Sequence, residues 1–220
     1  NAFKGELGSI TAPKTEGIFI SFEGGEGSGK STQSKLLAEW FENEGRKVLL
    51  TREPGGTNLG KNLRKILLDN ATGEIAPRSE ALLYAADRAH HVFSLIRPAL
   101  ERGEVVITDR YFDSSIAYQG AGRVLSSSEV ARINRWATES LFPTLTIILD
   151  QPAEIGLSRI KNADRLESES IEFHNRVRQE YLQLAGLDPE RYLVIDARRP
   201  IVEIHQEITT RVSTLLKSQP

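Results

Sequence analysis

The sequence predicts an α/β fold in which a parallel sheet is covered by helices on both faces. Three observations predict it. Apolar, β-rich segments at residues 17–22, 47–51, 104–108, 144–150 and 192–196 alternate with stretches whose apolar residues recur at helical spacing. Those segments are apolar on both faces, as strands of a covered parallel sheet are. The first segment runs straight into Gly24-Gly-Glu-Gly-Ser-Gly-Lys-Ser31, a phosphate-loop pattern that makes physical sense only between a strand and a helix.

Taken in order, residues 1–16 are polar and are expected to form a poorly ordered leader, with one domain over 17–217. After the phosphate loop, Leu36, Leu37, Trp40 and Phe41 mark a helix that Gly45 stops. A second buried strand ends in Arg52-Glu-Pro-Gly-Gly-Thr57, where Pro54 pushes Glu53 out of helical conformation. Leu59, Leu63, Ile66 and Leu67 predict a short amphipathic helix, and residues 78–103 a longer one kinked or broken at Pro98. The third strand closes on Asp109-Arg110-Tyr111, and a polar, glycine-containing segment is expected up to Val124. Ser126-Ser-Ser-Glu129 is a capping box opening a helix with Val130, Ile133, Ala137 and Leu141. Pro152 suits the first position of the helix after the fourth strand. Residues 161–170 are charged and aperiodic; Phe173, Val177, Tyr181 and Leu184 then resume a helix. Past the fifth strand, Pro200 opens a final helix with Ile204, Ile208, Val212 and Leu215.

Composition narrows the functional classes. Across 220 residues the net charge is −2, with 26% charged and 39% hydrophobic residues, which argues for a globular protein without a nucleic-acid-binding surface. The chain has no cysteine, so disulfides and thiolate metal sites are excluded. No apolar run approaches the roughly 18 residues that span a bilayer, so no membrane partner is expected. The four histidines lack a metal-binding spacing, and the adjacent His90 and His91 point to different faces of a helix.

The phosphate loop aims backbone N–H groups and a helix N-terminus at a polyphosphate. Lys30 supplies a point charge for the β/γ-phosphates and the Ser31 hydroxyl a ligand for Mg²⁺. Glu26, Arg52, Asp87-Arg88, Asp109-Arg110-Tyr111 and the charged segment 159–169 fall where the carboxyl edge of the sheet should lie, which is where open α/β sheets bind ligands. Arginines converging there predict a second phosphate opposite the loop. No Asn-Lys-x-Asp element is present to read guanine. The acceptor stays open at this point among water, a protein group and a small molecule.

Four motifs together resemble bacterial thymidylate kinase: Phe22-Glu-Gly-Gly-Glu-Gly-Ser-Gly-Lys-Ser-Thr32, Thr51-Arg-Glu-Pro-Gly-Gly-Thr57, Tyr84-Ala-Ala-Asp-Arg88 and Asp109-Arg-Tyr-Phe-Asp-Ser-Ser-Ile-Ala-Tyr-Gln119. The likeness spans about residues 17–215. It implies the phosphate-loop (P-loop) kinase fold with a five-stranded parallel sheet and a small lid at about 159–170. It also implies a cytoplasmic homodimer, with ATP and Mg²⁺ as donor and dTMP as acceptor giving dTDP. Carried over residue by residue, ATP would bind at Gly24, Gly25, Glu26, Gly27, Ser28, Gly29, Lys30, Ser31 and Thr32. Glu26 would also hold the 3′-hydroxyl of dTMP, Tyr84 would stack on thymine and Arg88 would donate to thymine O4. Arg110, with Arg52, would grip the acceptor phosphate. Pro54, Ser115 and Gln119 would line the acceptor site, and Tyr118 would crowd the 2′ carbon. Asp109, with Ser31, would hold Mg²⁺. Alternatives are a kinase for another pyrimidine monophosphate, or a P-loop ATPase.

Some members of that family carry an arginine directly after the loop's acidic residue, whereas here Gly27 follows Glu26. The resemblance therefore implies that the catalytic cation beyond Lys30 comes from the lid, with Arg165 as the first candidate and Arg159 as the second. An arginine introduced at Gly27 is expected to restore part of that charge, provided the backbone admits a side chain there.

Overall fold

The computed structural model describes residues 17–218, and the leader expected over residues 1–16 lies outside them. β1 (Ile18–Glu23), β2 (Val48–Arg52), β3 (Val105–Asp109), β4 (Leu145–Asp150) and β5 (Tyr192–Asp196) form one parallel sheet in the order β2-β3-β1-β4-β5. β1 takes the centre because every one of its residues is buried. It pairs with β3 on one side (Ile20 opposite Ile107) and with β4 on the other (Ile20 opposite Leu145). The chain thus changes direction across the sheet beside β1, and the loop leaving its carboxyl end sits at the topological switch point. β2 corrects one expectation: it is an edge strand, only half-buried, because β3 alone pairs with it.

On one face Ile18, Ile20 and Phe22 pack against Leu37 and Phe41 of α1 (Lys30–Asn43) and against Ile204, Ile208 and Val212 of α9 (Ile201–Ser218). On the other, Phe19 and Val106 meet Ile96, Leu100, Tyr111 and Val130. Each such side chain taken fully out of water contributes about 1.5–3 kcal/mol, so the central strand is anchored from both sides and the loop it feeds is held rigidly.

Several helices differ from expectation for identifiable reasons. In α2 (Asn58–Leu68) only Leu67 of the expected apolar face is buried, while Leu59 and Ile66 face solvent. The long helix is α3 (Pro77–His91), a π-helical turn Val92–Ile96 and α4 (Arg97–Glu101). Pro98 has no N–H to give and its ring crowds the preceding turn, so the hydrogen-bond ladder slips just before it. The polar, glycine-containing segment before Val124, given no helix from the sequence, is helical: α5 (Phe112–Ser115) leads into a π-helical stretch, Ile116–Gly122. Phe112, Ile116, Ala117 and Tyr118 are buried there, an apolar pattern hidden among serines and glycines. α6 (Ser127–Ala137) starts at its capping box, with Glu129 N–H donating to Ser126 Oγ at 3.3 Å. It ends before Leu141, because Glu139 and Ser140 turn left-handed, at φ 50° and 58°. Pro152 caps α7 (Ala153–Leu157) instead of sitting in its first turn. Residues 159–170 join α7 to α8 (Ile171–Leu187) without regular structure.

Candidate active site

The phosphate loop carries β1 into α1 through Gly24, Gly27 and Gly29, whose φ values of 133°, 61° and 90° are open to glycine and costly for other residues. Lys30 is buried inside this turn, its Nζ donating to Gly25 O at 2.7 Å, Gly24 O at 3.3 Å and Ser28 Oγ at 3.4 Å. Burial, and then the nearby Arg110, push the Lys30 pKa down, against the carboxylates of Glu26, Asp109 and Glu23. Thr32 continues α1 on an exposed face, its N–H on Gly29 O at 3.1 Å. Ser31 Oγ donates to Asp109 Oδ2 at 2.6 Å, so a hydroxyl from the start of α1 and a carboxylate from the end of β3 meet at the mouth of the loop. These two oxygens fit Mg²⁺, which takes few protein ligands and fills the rest with water and phosphate. Among the described residues no cluster of three or more His, Cys, Asp or Glu would hold a metal unaided.

The tip of the loop is clamped by α7 and the residues that flank it. Gln151 Nε2 donates to Glu26 O at 3.3 Å and Arg159 to Gly27 O at 2.9 Å. A Cβ on Gly156 would lie 2.0 Å from Glu26 O, and one on Gly27 2.4 Å from Gly156 O. The backbone therefore does not admit a side chain at Gly27, so the condition on which an arginine there was expected to restore charge is not met.

A second cavity opens beside the loop, walled by Glu26, Pro54, Tyr84, Arg88, Ser115 and Gln119. Arg110, at φ 72°, projects into it. Its Nη2 donates to Glu26 Oε1 at 2.6 Å and Tyr118 OH at 3.1 Å; its Nη1 donates to Gly24 O at 3.0 Å, Ser114 Oγ at 3.2 Å and Tyr181 OH at 3.3 Å. Burial raises the Glu26 pKa, but Arg110, Lys30 and the Tyr118 hydroxyl (2.6 Å away) outweigh it and bring it to about 2. Glu26 and Arg110 thus stand as a charged pair between the loop and the cavity.

Arg88 is buried and pairs with Glu53, at 2.6 Å from Nε, and not with its neighbour Asp87. Nη1 donates to Ser115 Oγ at 2.9 Å and to Asn134 Oδ1, and Nη2 to Tyr111 O at 3.0 Å. Of the five guanidinium N–H groups one, on Nη2, is left over for the cavity that Arg88 lines. Tyr84 is buried in the same wall, and burial pushes its phenol pKa up, so the ring is neutral. Gln119 gives its Nε2 to Glu80 at 3.1 Å, which leaves its Oε1, an acceptor, uncommitted. Arg52 is exposed on the phosphate-loop side, in a cleft shared with Lys30, Asp109 and Arg64.

The two arginines of the segment 159–170 part company. Arg159 lines the phosphate-loop cleft, whereas Arg165 is not brought to it. Its guanidinium is taken by Glu80 and by Leu67 O at 2.7 Å. What this segment gives the cavity is Asp164, Leu166 and Glu167.

Sequence reasoning missed several groups. Glu23 is buried behind Arg110 and accepts from Tyr111 N at 2.8 Å, Ser114 Oγ at 2.6 Å and Tyr181 OH at 2.9 Å. Burial, then Asp113, push its pKa up to about 7. Its signal was present: a carboxylate ending an otherwise apolar strand at the switch point. Glu53 joins Arg88 to His91, whose Nδ1 lies 2.8 Å away and whose Nε2 meets Thr51 Oγ1 at 2.8 Å. His91 is therefore a satisfied core histidine. Asn134 and Tyr181 come from helices remote in sequence and gave no signal.

The family model described as thymidylate kinase matches residues 22–208. The thymidylate kinase of Clavibacter michiganensis subsp. michiganensis is 56% identical over 204 residues, covering 91% of this chain and 96% of the relative. That of Leifsonia xyli subsp. xyli is 58% identical over 200 residues, covering 89% and 94%. The crystal structure of the thymidylate kinase from Ehrlichia chaffeensis superposes with a TM-score of 0.74 at 34% identity, covering 89% of this chain and 98% of that one.

Proposed function

Because the chain belongs to the thymidylate kinase family and phosphorylates dTMP to dTDP, we propose that ATP is the donor and that the two cavities divide the work. ATP lies along residues 24–32, with Lys30 on its β/γ-phosphates. The acceptor lies in the cavity between Tyr84 and Glu26, its base on the Tyr84 ring and its 4-carbonyl on the remaining Arg88 N–H. Gln119 Oε1 is the acceptor available to the thymine N3–H. Glu26 takes the 3′-hydroxyl, the Tyr118 ring fills the space a 2′-hydroxyl would need, and Arg110, with Arg52 nearby, holds the phosphate. Ser31 and Asp109 would hold Mg²⁺, which when bound supplies positive charge to the donor phosphates.

The transfer itself needs positioning and charge, not covalent help from the protein. A dTMP phosphate oxygen attacks the γ-phosphorus in line, the β–γ bridging bond breaks and ADP leaves. Lys30 and Arg159 face the charge that develops between the nucleotides. Of the lid arginines we assign that role to Arg159, on its contact with Gly27 O. The lid residues Asp164, Leu166 and Glu167 keep water out of the acceptor side.

The observation that carries this reading is Arg110 bridging the loop carbonyl of Gly24 and the Glu26 carboxylate at the junction of both cavities. Calorimetric titration of dTMP into Arg110→Gln tests it. Affinity should fall on the order of 10–100-fold, the loss expected for a charged hydrogen bond to phosphate. Unchanged affinity would remove Arg110 from the acceptor site.

We further propose a homodimer and a cytoplasmic setting, where ATP and dTMP are made. Exposed Leu82 and Trp136, with Ile133, line an apolar groove between α3 and α6 that a second copy would cover. Light scattering on Trp136→Glu tests this; a monomer is the expected result.

A further inference from the structure

One buried carboxylate lies outside the set that handles the nucleotides. Glu80, in the first turn of α3, has no exposed surface. It accepts from Arg123 twice, Nε on Oε1 and Nη2 on Oε2, both at 3.1 Å, and from Gln119 on Oε1 at 3.1 Å. Arg165 Nη2 completes the set on Oε2. These donors come from places far apart in the chain: Gln119 and Arg123 from the π-helical stretch and its end, Arg165 from the middle of the lid. Burial alone would raise the Glu80 pKa, but the two arginines and Gln119 outweigh it and hold the carboxylate ionised.

The lid is fastened at the same point by its other bonds. Arg165 N–H donates to Leu68 O at 3.0 Å and Nε to Leu67 O at 2.7 Å, the last two carbonyls of α2, where the helix dipole favours a cation. Arg123 Nη1 pairs with Glu169 at the exit of the lid, and its guanidinium lies 5.0 Å from the Phe173 ring at the start of α8. Between these anchors the chain turns Asp164, Leu166 and Glu167 into the acceptor cavity.

We propose that Glu80 is a positioning residue that latches the lid over the acceptor cavity, by holding Arg165 and Arg123 on one carboxylate. The inference rests on the assignment of that cavity to dTMP. Its physical basis is charge balance. Glu80 is fully buried while Glu169 and both arginines are only partly buried; without Glu80 the two partly buried guanidinium groups of Arg123 and Arg165 share one carboxylate, and the cheapest relief is for the lid turn to swing its arginine into water. The wall made by Asp164, Leu166 and Glu167 leaves with it. Apparent affinity for the acceptor is then multiplied by the fraction of molecules in which the lid is closed.

The test is Glu80→Gln, which keeps the shape and removes the charge. The variant should raise the KM for dTMP on the order of tenfold while kcat changes less than about threefold, since saturating substrate pulls the lid shut. In the unliganded protein, amide hydrogen exchange of residues 161–169 should speed up on the order of tenfold with the five strands unchanged. A role in stability alone would instead accelerate exchange in the strands as well. Arg165→Gln should reproduce both effects, and the double variant should be no worse than Glu80→Gln alone, as for two members of one latch. If Glu80→Gln does not fold, Arg165→Gln decides by the same two readouts. Lid exchange and dTMP KM within about twofold of wild type in the folded variant would overturn the proposal. Failure of the wild type to use dTMP would overturn the assignment of the cavity instead, while the exchange measurement would still judge the latch.

Discussion

Gly27 and Gly156 meet backbone to backbone: the position a Cβ would take on Gly27 is 2.4 Å from the carbonyl oxygen of Gly156. Gly27 also sits at φ 61°, where a side chain costs about 1–2 kcal/mol before any clash. The loop tip therefore cannot carry its own arginine, and α7 occupies the space. Gly27→Ala should lower kcat/KM for ATP on the order of tenfold or more and lower the melting temperature by several degrees. Gly27→Arg should do the same and restore nothing. A Gly27→Arg enzyme with undiminished turnover would show that the α7 clamp does not matter.

Arg159 and Arg165 should separate cleanly in kinetics. If Arg159 is the cation that we propose for the transferring phosphoryl group, Arg159→Ala should cut kcat on the order of 10²-fold with little change in dTMP affinity. Arg165→Ala should act mainly on the KM for dTMP. Steady-state kinetics with dTMP varied at saturating ATP decides; the reverse pattern would mean that the lid rearranges to bring Arg165 to the phosphates.

Glu23 gives the protein an unusual pH dependence of stability. Its folded pKa is about 7 against an ordinary 4.5, so between those values the folded state keeps a proton that the unfolded chain has lost. Stability from this group is complete below about 4.5 and is lost as pH rises to about 7. Asp87, raised to about 6 mainly by burial, acts with the same sign lower down, from 3.8 upward. Glu26, lowered to about 2, acts oppositely, losing its contribution as pH falls from 4.5. Glu23→Gln should therefore gain on the wild type by about 1–3 kcal/mol between pH 5 and 8 in denaturant melts. A constant difference across that range would mean that Glu23 is ionised in the folded protein throughout.

The sheet was legible because its strands are apolar on both faces, and the phosphate loop because glycine, lysine and serine occur there at fixed offsets. Arg110 was legible too, standing just past a strand end beside the switch point. Arg88 was legible as a residue but not in its partners. Successive helical residues point about 100° apart, so Arg88 reaches away from Asp87 to Glu53 in the loop after β2. The Arg165–Glu80 pair joins positions 85 residues apart, and a charged, aperiodic stretch carries no sign of which charge it will meet. The helical nature of 112–122 was hidden because π-helical turns break the period by which helices are recognised.

On the proposed reading the two cavities bring ATP and dTMP end to end, with Arg110 and Lys30 between them. The most direct measurement is ADP release from ATP with Mg²⁺ across a panel of acceptors: dTMP, dUMP, UMP, ribothymidine monophosphate and none. Rapid turnover should appear with dTMP, fall with dUMP and the ribonucleotides, and nearly vanish without an acceptor. ADP released at the same rate with and without dTMP, or fastest with another monophosphate, would contradict it.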